Sequence, residues 1–293
     1  MPFPKFGRGQ YTVIIKKYAY LVLVICAIFL GCDSLSQKDE NVGYPVFIKQ
    51  IDTSDLILLN ERYHQKNNGS LCSTLNEYGF TGFSRVLFPN NSNPCLGQTV
   101  VKEELLYTYD LLEQAKQVLI ENSEFTGVKN ASDLITKEII SLDGCTVCEG
   151  KDINNVPLQW KFTFRPQYYN KVEVSESEIV VYIDAEGVNR IWGNWYPVID
   201  PGFIDFGYNK AIEKIVGERL RYANEESQIF EQEILYDHIS GEPGLRFAPI
   251  KVDEGIEIHK VWSISILKED KSETRWRVYI STVTGEILEV ILL

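Results

Sequence analysis

The chain has 293 residues, of which 44% are hydrophobic and 24% are charged, as in an ordinary globular protein with a sizeable core. Its formal net charge is −12, and the sequence has no lysine-rich run or basic helix face. Nucleic acid is therefore not an expected partner. The length suits one large domain or two small ones.

The first 31 residues are predicted to be an export signal rather than part of the folded body. An apolar run of thirteen residues, 19–31, follows a segment whose charges are all basic. The basic residues are Lys5, Arg8, Lys16 and Lys17. This order is typical of secretory signals. The apolar run is too short for a membrane-spanning helix, which needs roughly 18–20 residues.

The apolar run ends in FLGC, residues 29–32, which resembles the bacterial lipobox. Small Gly31 precedes Cys32, whereas bulky Ile25 precedes the rival Cys26. The resemblance implies a lipid on Cys32, a membrane anchor and a polar tether over residues 32–45. It places the protein in the cell envelope, by expectation at the outer membrane of a Gram-negative bacterium, facing the periplasm or the cell surface. The alternative is a soluble secreted protein cut nearby.

Four cysteines follow the predicted anchor, and an even number in an exported protein predicts two disulfides. They are Cys72, Cys95, Cys145 and Cys148. We favour the pairs Cys72–Cys95 and Cys145–Cys148, because each closes the shorter loop. A redox CxxC site is an alternative for the second pair, but turn-like EGKDINNVP follows it where a redox motif would open a helix. A four-cysteine zinc site would need two close pairs. We expect neither metal nor cofactor.

Residues 46–98 are predicted to be an irregular segment that wraps onto the rest of the chain and is pinned by a disulfide. The stretch NEYGFTGFSRVLFPNNSNPC is rich in glycine, asparagine, proline and aromatic residues, which indicates irregular structure. A strand or short helix is expected around residues 56–59.

Residues 99–200 are predicted to be a unit of one helix and several strands. The helix runs for about six turns and ends before Gly127. Its apolar stripe contains Leu105, Leu112, Ala115 and Leu119. A strand over residues 134–142, an alternating strand over 158–164 and the hairpin EIVVYIDAEG–VNRIWGNWYP follow.

Residues 201–293 are predicted to be a second unit of the same kind. Its helix carries an apolar stripe of Ala211, Ile212, Ile215, Val216 and Leu220. A Gly/Pro-rich loop, GEPGLRFAP, then precedes three strands of alternating pattern in GIEIHKVWSISILKED and TRWRVYISTVTGEILEVILL. The Val-Tyr-Ile of the first hairpin recurs 97 residues later, from Val181 to Val278. This repeat indicates a duplicated α+β sandwich, in which one helix covers the apolar face of each antiparallel sheet.

The closing hairpin resembles that of the PepSY domain, which typically reads W-x-V-Y-I-D-A-x-T-G-E-V-L. The matching residues are Trp276, Val278, Tyr279, Ile280, Thr284, Gly285, Glu286, Ile287 and Leu288, with Ser281 and Thr282 in place of Asp-Ala. The earlier hairpin resembles a related segment of thermolysin-type and fungalysin-type protease propeptides, at Asp184, Gly187, Gly193, Asn194 and Pro197. The resemblance covers roughly residues 100–293. It implies a propeptide-like fold that binds a protease, inhibits it and assists its folding.

The sequence does not show the zinc-peptidase motif HExxH that would accompany such a propeptide. The histidines, His64, His238 and His259, are isolated, and neither a GxSxG elbow nor a phosphate loop is present. We therefore expect a non-catalytic protein, with an enzyme of unrecognised type as the third choice.

An aromatic cluster in WGNWYP is the candidate binding surface. Trp192, Trp195 and Tyr196 lie close together at a hairpin end, where aromatic residues often anchor a partner. The alternative is that they seal the junction between the two sheets. The expected function is binding of another protein, with inhibition or chaperoning of an extracytoplasmic protease as its specific form. The runner-up is a structural or ligand-binding envelope lipoprotein without a protease partner.

Overall fold

The computed structural model describes residues 43–82, 95, 109–147, 154–196, 199–200, 202–223, 229–269 and 274–293. Its helices are α1 (Thr53–Lys66), α2 (Tyr109–Glu121), α3 (Ser123–Thr126) and α4 (Tyr208–Ile215). In these ranges, none of the helices combines the length and the apolarity that a membrane crossing requires. The predicted signal and Cys32 lie outside the described residues.

The strands form two larger sheets and two short hairpins. In chain order they are β1 (Val46–Lys49), β2 (Thr74–Leu75), β3 (Thr81–Gly82), β4 (Thr136–Val147), β5 (Asn154–Phe164), β6 (Gln167–Tyr169), β7 (Val172–Val174), β8 (Glu178–Asp184), β9 (Gly187–Asn194), β10 (Arg219–Ala223), β11 (Ile229–Glu233), β12 (Ile239–Val252), β13 (Gly255–Leu267), β14 (Thr274–Ser281) and β15 (Ile287–Leu292). The hairpins are β2-β3 and β10-β11.

The first larger sheet has the order β4-β5-β8-β9, and its neighbouring strands are antiparallel. Helix α2 covers one face, where Ala115 and Leu119 are fully buried with Phe162 and Phe164. Because apolar residues recur every three or four positions on α2 and every second position on β5, both elements bury one side. The predicted stripe is confirmed for Ala115 and Leu119, while Leu105 lies outside the described residues.

The second larger sheet has the order β15-β14-β13-β12-β7-β6, with β1 paired to β13 in addition. Strand β12 pairs with one edge of β13. Strands β1 and β14 both pair with the other edge of β13, β1 near its beginning and β14 along the rest. Helix α4 covers this sheet with Ala211 and Ile215, which are fully buried. Strands β6 and β7 precede residue 200 yet join this sheet, and β7 runs parallel to β12.

The two Val-Tyr-Ile strands have matching environments. Val181 and Ile183 are fully buried beneath α2, and Val278 and Ile280 are fully buried in the core beneath α4. In each strand the tyrosine between them points to the opposite face, as the pleat requires. This pattern of helices over mostly antiparallel sheets agrees with the predicted α+β class, with more sheet than helix.

The irregular structure predicted for the N-terminal segment is wrong within residues 46–66, which form β1 and the fourteen-residue helix α1. Strand β1 adds to β13 through the pairs from Val46–Ile258 to Lys49–Gly255. Helix α1 buries Leu56 and Tyr63, seven positions apart and therefore on one face. The sequence signal was the heptad spacing of these two residues, which the glycine- and asparagine-rich stretch after them obscured.

Two predictions for the second half are also wrong. GEPGLRFAP is part of strand β12, which passes an irregularity between Ser240 and Gly244 and then pairs regularly with β13. Leu220 belongs to β10 rather than to the helix, because α4 ends at Ile215 and Gly217 adopts a left-handed φ of 87°.

Candidate functional site

The predicted disulfide Cys72–Cys95 is confirmed, with Cα atoms 5.1 Å apart. Both cysteines are buried, and the Cys72 amide donates a 2.8 Å hydrogen bond to the Asn189 carbonyl on β9. This hydrogen bond therefore fastens the segment after α1 to β9, at the edge of the first sheet. Cys145 lies on β4, and Cys148 is outside the described residues, so their pairing stays a prediction.

Trp195 is part of the core rather than a surface anchor. Its exposed fraction is 3%, and it packs in the cluster beneath α2. Its amide donates a 2.9 Å hydrogen bond to the carbonyl of Thr126 in α3. The prediction that Trp195 meets a partner is therefore not supported by its burial.

Tyr196 is equally buried and joins the two sheets, as the alternative interpretation expected. Its exposed fraction is 6%, and its ring packs edge-to-face on Phe80 with 5.9 Å between centroids. Its amide donates to the Gln167 side-chain oxygen at 3.0 Å, and the Gln167 amide group donates to its carbonyl at 2.8 Å. Burial raises the pKa of the Tyr196 hydroxyl to about 12. The residue thus links the end of β9 to β6.

Trp192 keeps an exposed side chain, with an exposed fraction of 38%. It lies on the face of the first sheet that points away from α2, opposite Val180. On the same face, the Arg190 guanidinium lies 4.1 Å from the centroid of the Tyr182 ring, a cation–π contact. Of the three predicted aromatic anchors, Trp192 alone is accessible to a partner.

Two of the three histidines, His238 and His259, contact neighbouring groups of the fold. His238 is buried, and its Nδ1 accepts a 3.2 Å hydrogen bond from the Leu235 amide. His259 Nε2 lies 2.8 Å from Glu257 Oε2. Among the described residues, no group of three or more His, Cys, Asp or Glu side chains is placed to hold a metal ion.

A cavity of about 410 Å³ opens near the start of β4 and the segment from β7 to β8. Its lining is mostly charged: Lys137, Arg165, Pro166, Glu173, Val174, Glu176, Ser177 and Glu178. Two of its carboxylates are paired, Glu178 with Arg165 Nε at 2.9 Å and Glu173 with Arg246. The Ser177 hydroxyl donates to the Val174 carbonyl at 2.7 Å, so it serves the backbone of its own loop.

Strand β15, at one end of the second sheet, carries exposed apolar side chains. Strand β14 pairs with one side of it, and no other strand in the described part of the chain pairs with its outer side. Val290, Leu292 and Leu293 have exposed fractions of 38%, 46% and 55%. The sequence predicted this strand but not its position, because the edge is defined by pairings with distant residues.

Hydrogen bonding shows which backbone groups of β15 face outward. The Leu293 amide donates to the Arg275 carbonyl of β14 at 2.8 Å. In an antiparallel pair, alternate residues point both backbone groups toward the partner. Ile291 and Glu289 therefore also bond to β14, and Val290 and Leu292 direct their amides and carbonyls outward. We call this unpaired row the β15 edge.

No protein-family model matches the chain, and no curated protein matches it. Among solved structures, the C-terminal domain of YpeB from Bacillus megaterium is similar at 15% identity and a TM-score of 0.29. The similarity covers 66% of this chain and 67% of that domain.

Proposed function

We propose that this chain is a non-catalytic envelope lipoprotein that binds another protein. The observation that carries the proposal is the β15 edge, an apolar strand with outward backbone groups and exposed Val290 and Leu292. Edges of this kind pair with extended segments of other chains. Such binding needs surface and backbone hydrogen bonds but no catalytic group.

The specific partner that we propose is an extracytoplasmic protease, which the chain inhibits or helps to fold. The support is the resemblance of residues 276–288 to the PepSY hairpin and of residues 184–197 to protease propeptides. The lipid anchor on Cys32 would hold the protein at the membrane where such a protease is exported.

Capture from cells tests this function. The full chain, tagged, cross-linked in cells and extracted in mild detergent, should recover a peptidase that an unrelated tagged lipoprotein does not recover. The purified chain should then slow cleavage by that peptidase or raise its refolding yield. Recovery of a glycan or lipid without a protein would favour the ligand-binding alternative. Recovery of no partner would contradict the proposal.

The anchor is tested by labelling cells with radioactive palmitate. Cys32→Ala should lose the label and move to the soluble fraction, because the thiol is the attachment atom. Cys26→Ala, the matched control within the signal, should keep both the label and the membrane fraction. Label retained by Cys32→Ala would show that the lipobox assignment is wrong.

A further inference from the structure

We propose that residues 202–207, which precede α4, rest on the surface of a lipid bilayer and insert Phe203 and Ile204 into it. We call this segment the 202–207 loop. The proposal rests on the lipid anchor proposed at Cys32 and adds a second, non-covalent contact with the same membrane. Exposed apolar side chains bind membranes in this way when they enter the boundary between headgroups and acyl chains.

The 202–207 loop and the start of α4 carry exposed apolar side chains. Phe203 and Ile204 have exposed fractions of 56% and 44%, and Tyr208, the first residue of α4, has one of 44%. Phe206 instead packs against the core cluster beneath α4. Single exposed apolar residues are ordinary, but three within six positions concentrate apolar surface in one place. Such a surface is suited to contact with a bilayer.

Hydrogen bonds hold the loop against the turn between β14 and β15. The amides of Asp205 and Phe206 donate to the Thr282 carbonyl at 2.9 and 2.8 Å. The Thr282 hydroxyl oxygen lies 3.2 Å from the Phe203 carbonyl oxygen, within hydrogen-bond distance. The backbone is therefore fixed on both sides of Ile204. Because the loop is already ordered, docking carries little additional cost in conformational entropy.

The described part of the chain begins beside this loop. The Tyr44 ring lies against Gly202, where an added Cβ atom would come within 2.7 Å of the ring. The Tyr44 hydroxyl accepts a 2.7 Å hydrogen bond from the Lys260 amide. The Lys260 carbonyl accepts one of 3.1 Å from the Thr282 amide. Tyr44 and the loop are therefore fastened to the same place on the second sheet.

This entry point puts the loop on the side of the folded body that the anchor holds. Twelve positions separate Cys32 from Tyr44, and an extended chain spans at most about 3.6 Å per residue, so the lipid lies within about 43 Å of Tyr44. Tethering within this distance gives the loop a high effective concentration at the bilayer. Three side chains that are too few to hold a free protein on a membrane can then dock.

The charge of the loop favours apolar insertion over attraction to anionic headgroups. The loop contains Asp205 and no basic residue, and the whole chain has a net charge of −12. Electrostatic attraction therefore does not supply the binding, and burial of the apolar side chains must supply it. We expect contact with a zwitterionic bilayer and little dependence on salt.

Quenching by brominated lipid measures this contact. The full chain, extracted from cells with its lipid, is reconstituted into vesicles of phosphatidylcholine or of brominated phosphatidylcholine, which quenches nearby tryptophan emission. Relative to the original chain, Phe203→Trp should add emission at short wavelength that the brominated vesicles quench. The added signal reports a side chain inside the bilayer boundary.

Tyr236→Trp is the matched control, because Tyr236 is similarly exposed, at 63%, but lies elsewhere on the fold. It shortly precedes Ile239, which pairs with Ile266 at the other end of β13. Ile266 is six positions along β13 from Lys260, or about 20 Å. Tyr236→Trp should therefore add emission that brominated lipid does not quench.

A second substitution tests insertion itself. Ile204→Asp in the Phe203→Trp chain should abolish the added quenching, because a carboxylate resists transfer out of water. Asp205→Asn in the same chain keeps the amide that bonds to Thr282 and should keep the quenching. Thermal midpoints of these chains check that the fold is intact. If Ile204→Asp does not fold, the comparison of Phe203→Trp with Tyr236→Trp decides the question.

Four results would overturn the inference. They are equal quenching of Phe203→Trp and Tyr236→Trp, quenching that survives Ile204→Asp, quenching that high salt removes, and a shifted Phe203→Trp emission that brominated lipid leaves unquenched. The last would mean that protein covers the loop. Any of these results in a chain that carries palmitate on Cys32 leaves the anchor standing and the loop assignment wrong. A chain without that label shows that the proposed anchor fails, whatever the loop does.

Discussion

Trp192 and Trp195 are three positions apart and have opposite environments. Trp192 lies on β9, on the outer face of the first sheet, and Trp195 follows the strand and enters the core. Their exposed fractions of 38% and 3% show that one aromatic motif supplies both a surface side chain and a core side chain. At the scale of single residues, burial decides which of the two each tryptophan is.

Replacing each tryptophan by alanine tests this division. Trp195→Ala should lower the free energy of unfolding by about 3–5 kcal/mol, because it opens a cavity under α2. Trp192→Ala should lower it by about 1 kcal/mol or less, as is usual at a partly exposed position. Urea unfolding followed by circular dichroism gives both values. Similar losses in the two variants would mean that Trp192 is also core.

Glu289 should make stability depend on pH. Its folded-state pKa is raised by burial and then by Glu176, so folding disfavours the charged carboxylate. The stabilisation from the neutral carboxyl is present in full below the unfolded-state pKa and is lost as the pH rises through the raised folded-state pKa. Glu289→Gln should therefore match the original chain at low pH and be more stable at pH 7.

Urea unfolding of both chains from acidic to neutral pH measures this effect. Glu213→Gln on the exposed side of α4 is the matched control for the loss of one carboxylate charge. A Glu289→Gln chain that is less stable than the original at neutral pH would show that the carboxylate is stabilised in the folded protein.

At the scale of elements, helix α3 connects helix α1 to the core of the first sheet. Arg62 and Lys66 of α1 form ion pairs with Glu124 of α3, at 2.7 and 2.8 Å. Helix α3 ends at Thr126, and the Gly127 that caps it has a φ of 77°, in the left-handed region. A side chain there would overlap the carbonyl oxygen of Trp195. The close approach of this turn to Trp195 is what requires glycine.

Gly127→Ala and Gly217→Ala separate backbone strain from this close contact. Both glycines have left-handed φ angles, 77° and 87°, but a methyl group at Gly217 would meet open space. Gly217→Ala should destabilise the fold by about 1 kcal/mol through strain alone. Gly127→Ala should cost about 3 kcal/mol or more, since the Trp195 backbone must also move. Equal changes in the thermal midpoint would contradict the contact.

At the scale of the whole molecule, hydrogen bonds join the two halves of the chain. Strand β7 pairs with β12, the Ser175 amide donates to the Phe247 carbonyl at 2.7 Å, and β1 pairs with β13. Phe247 is buried with Val174 and Tyr196 from the first half. The two helix-and-sheet units therefore share a core cluster and a sheet.

We accordingly expect one cooperative unfolding transition for the folded body. Differential scanning calorimetry of the full chain should give equal calorimetric and van 't Hoff enthalpies. Phe247→Ala should move the entire transition to lower temperature rather than split it, because its cavity lies in the shared cluster. Two resolved transitions would show that the units unfold independently.

Local periodicity was enough to predict several elements, and the shorter loop favoured the disulfide between Cys72 and Cys95. Apolar spacing on Ala115 and Leu119, alternation along β5 and the repeated Val-Tyr-Ile strands each concern residues near one another in the chain. The same reasoning failed for β12, since its glycines and prolines resemble a loop and its strand geometry depends on pairing with β13. The periodicity argument also failed at Leu220, because apolar residues recur at helical spacing beyond Gly217 although α4 ends at Ile215.

The sequence by itself therefore predicted the helix-over-sheet pattern and the faces that those elements bury, and it favoured the pairing of Cys72 with Cys95. Only the tertiary structure decided that β1, β6 and β7 join the second sheet, that Trp195 and Tyr196 are interior, and that β15 is an edge. These features depend on contacts between residues far apart in sequence, and no local pattern encodes which distant strand supplies the neighbour. The candidate binding surface arises from that choice, because β15 is the last strand of its sheet among the strands that the structure describes.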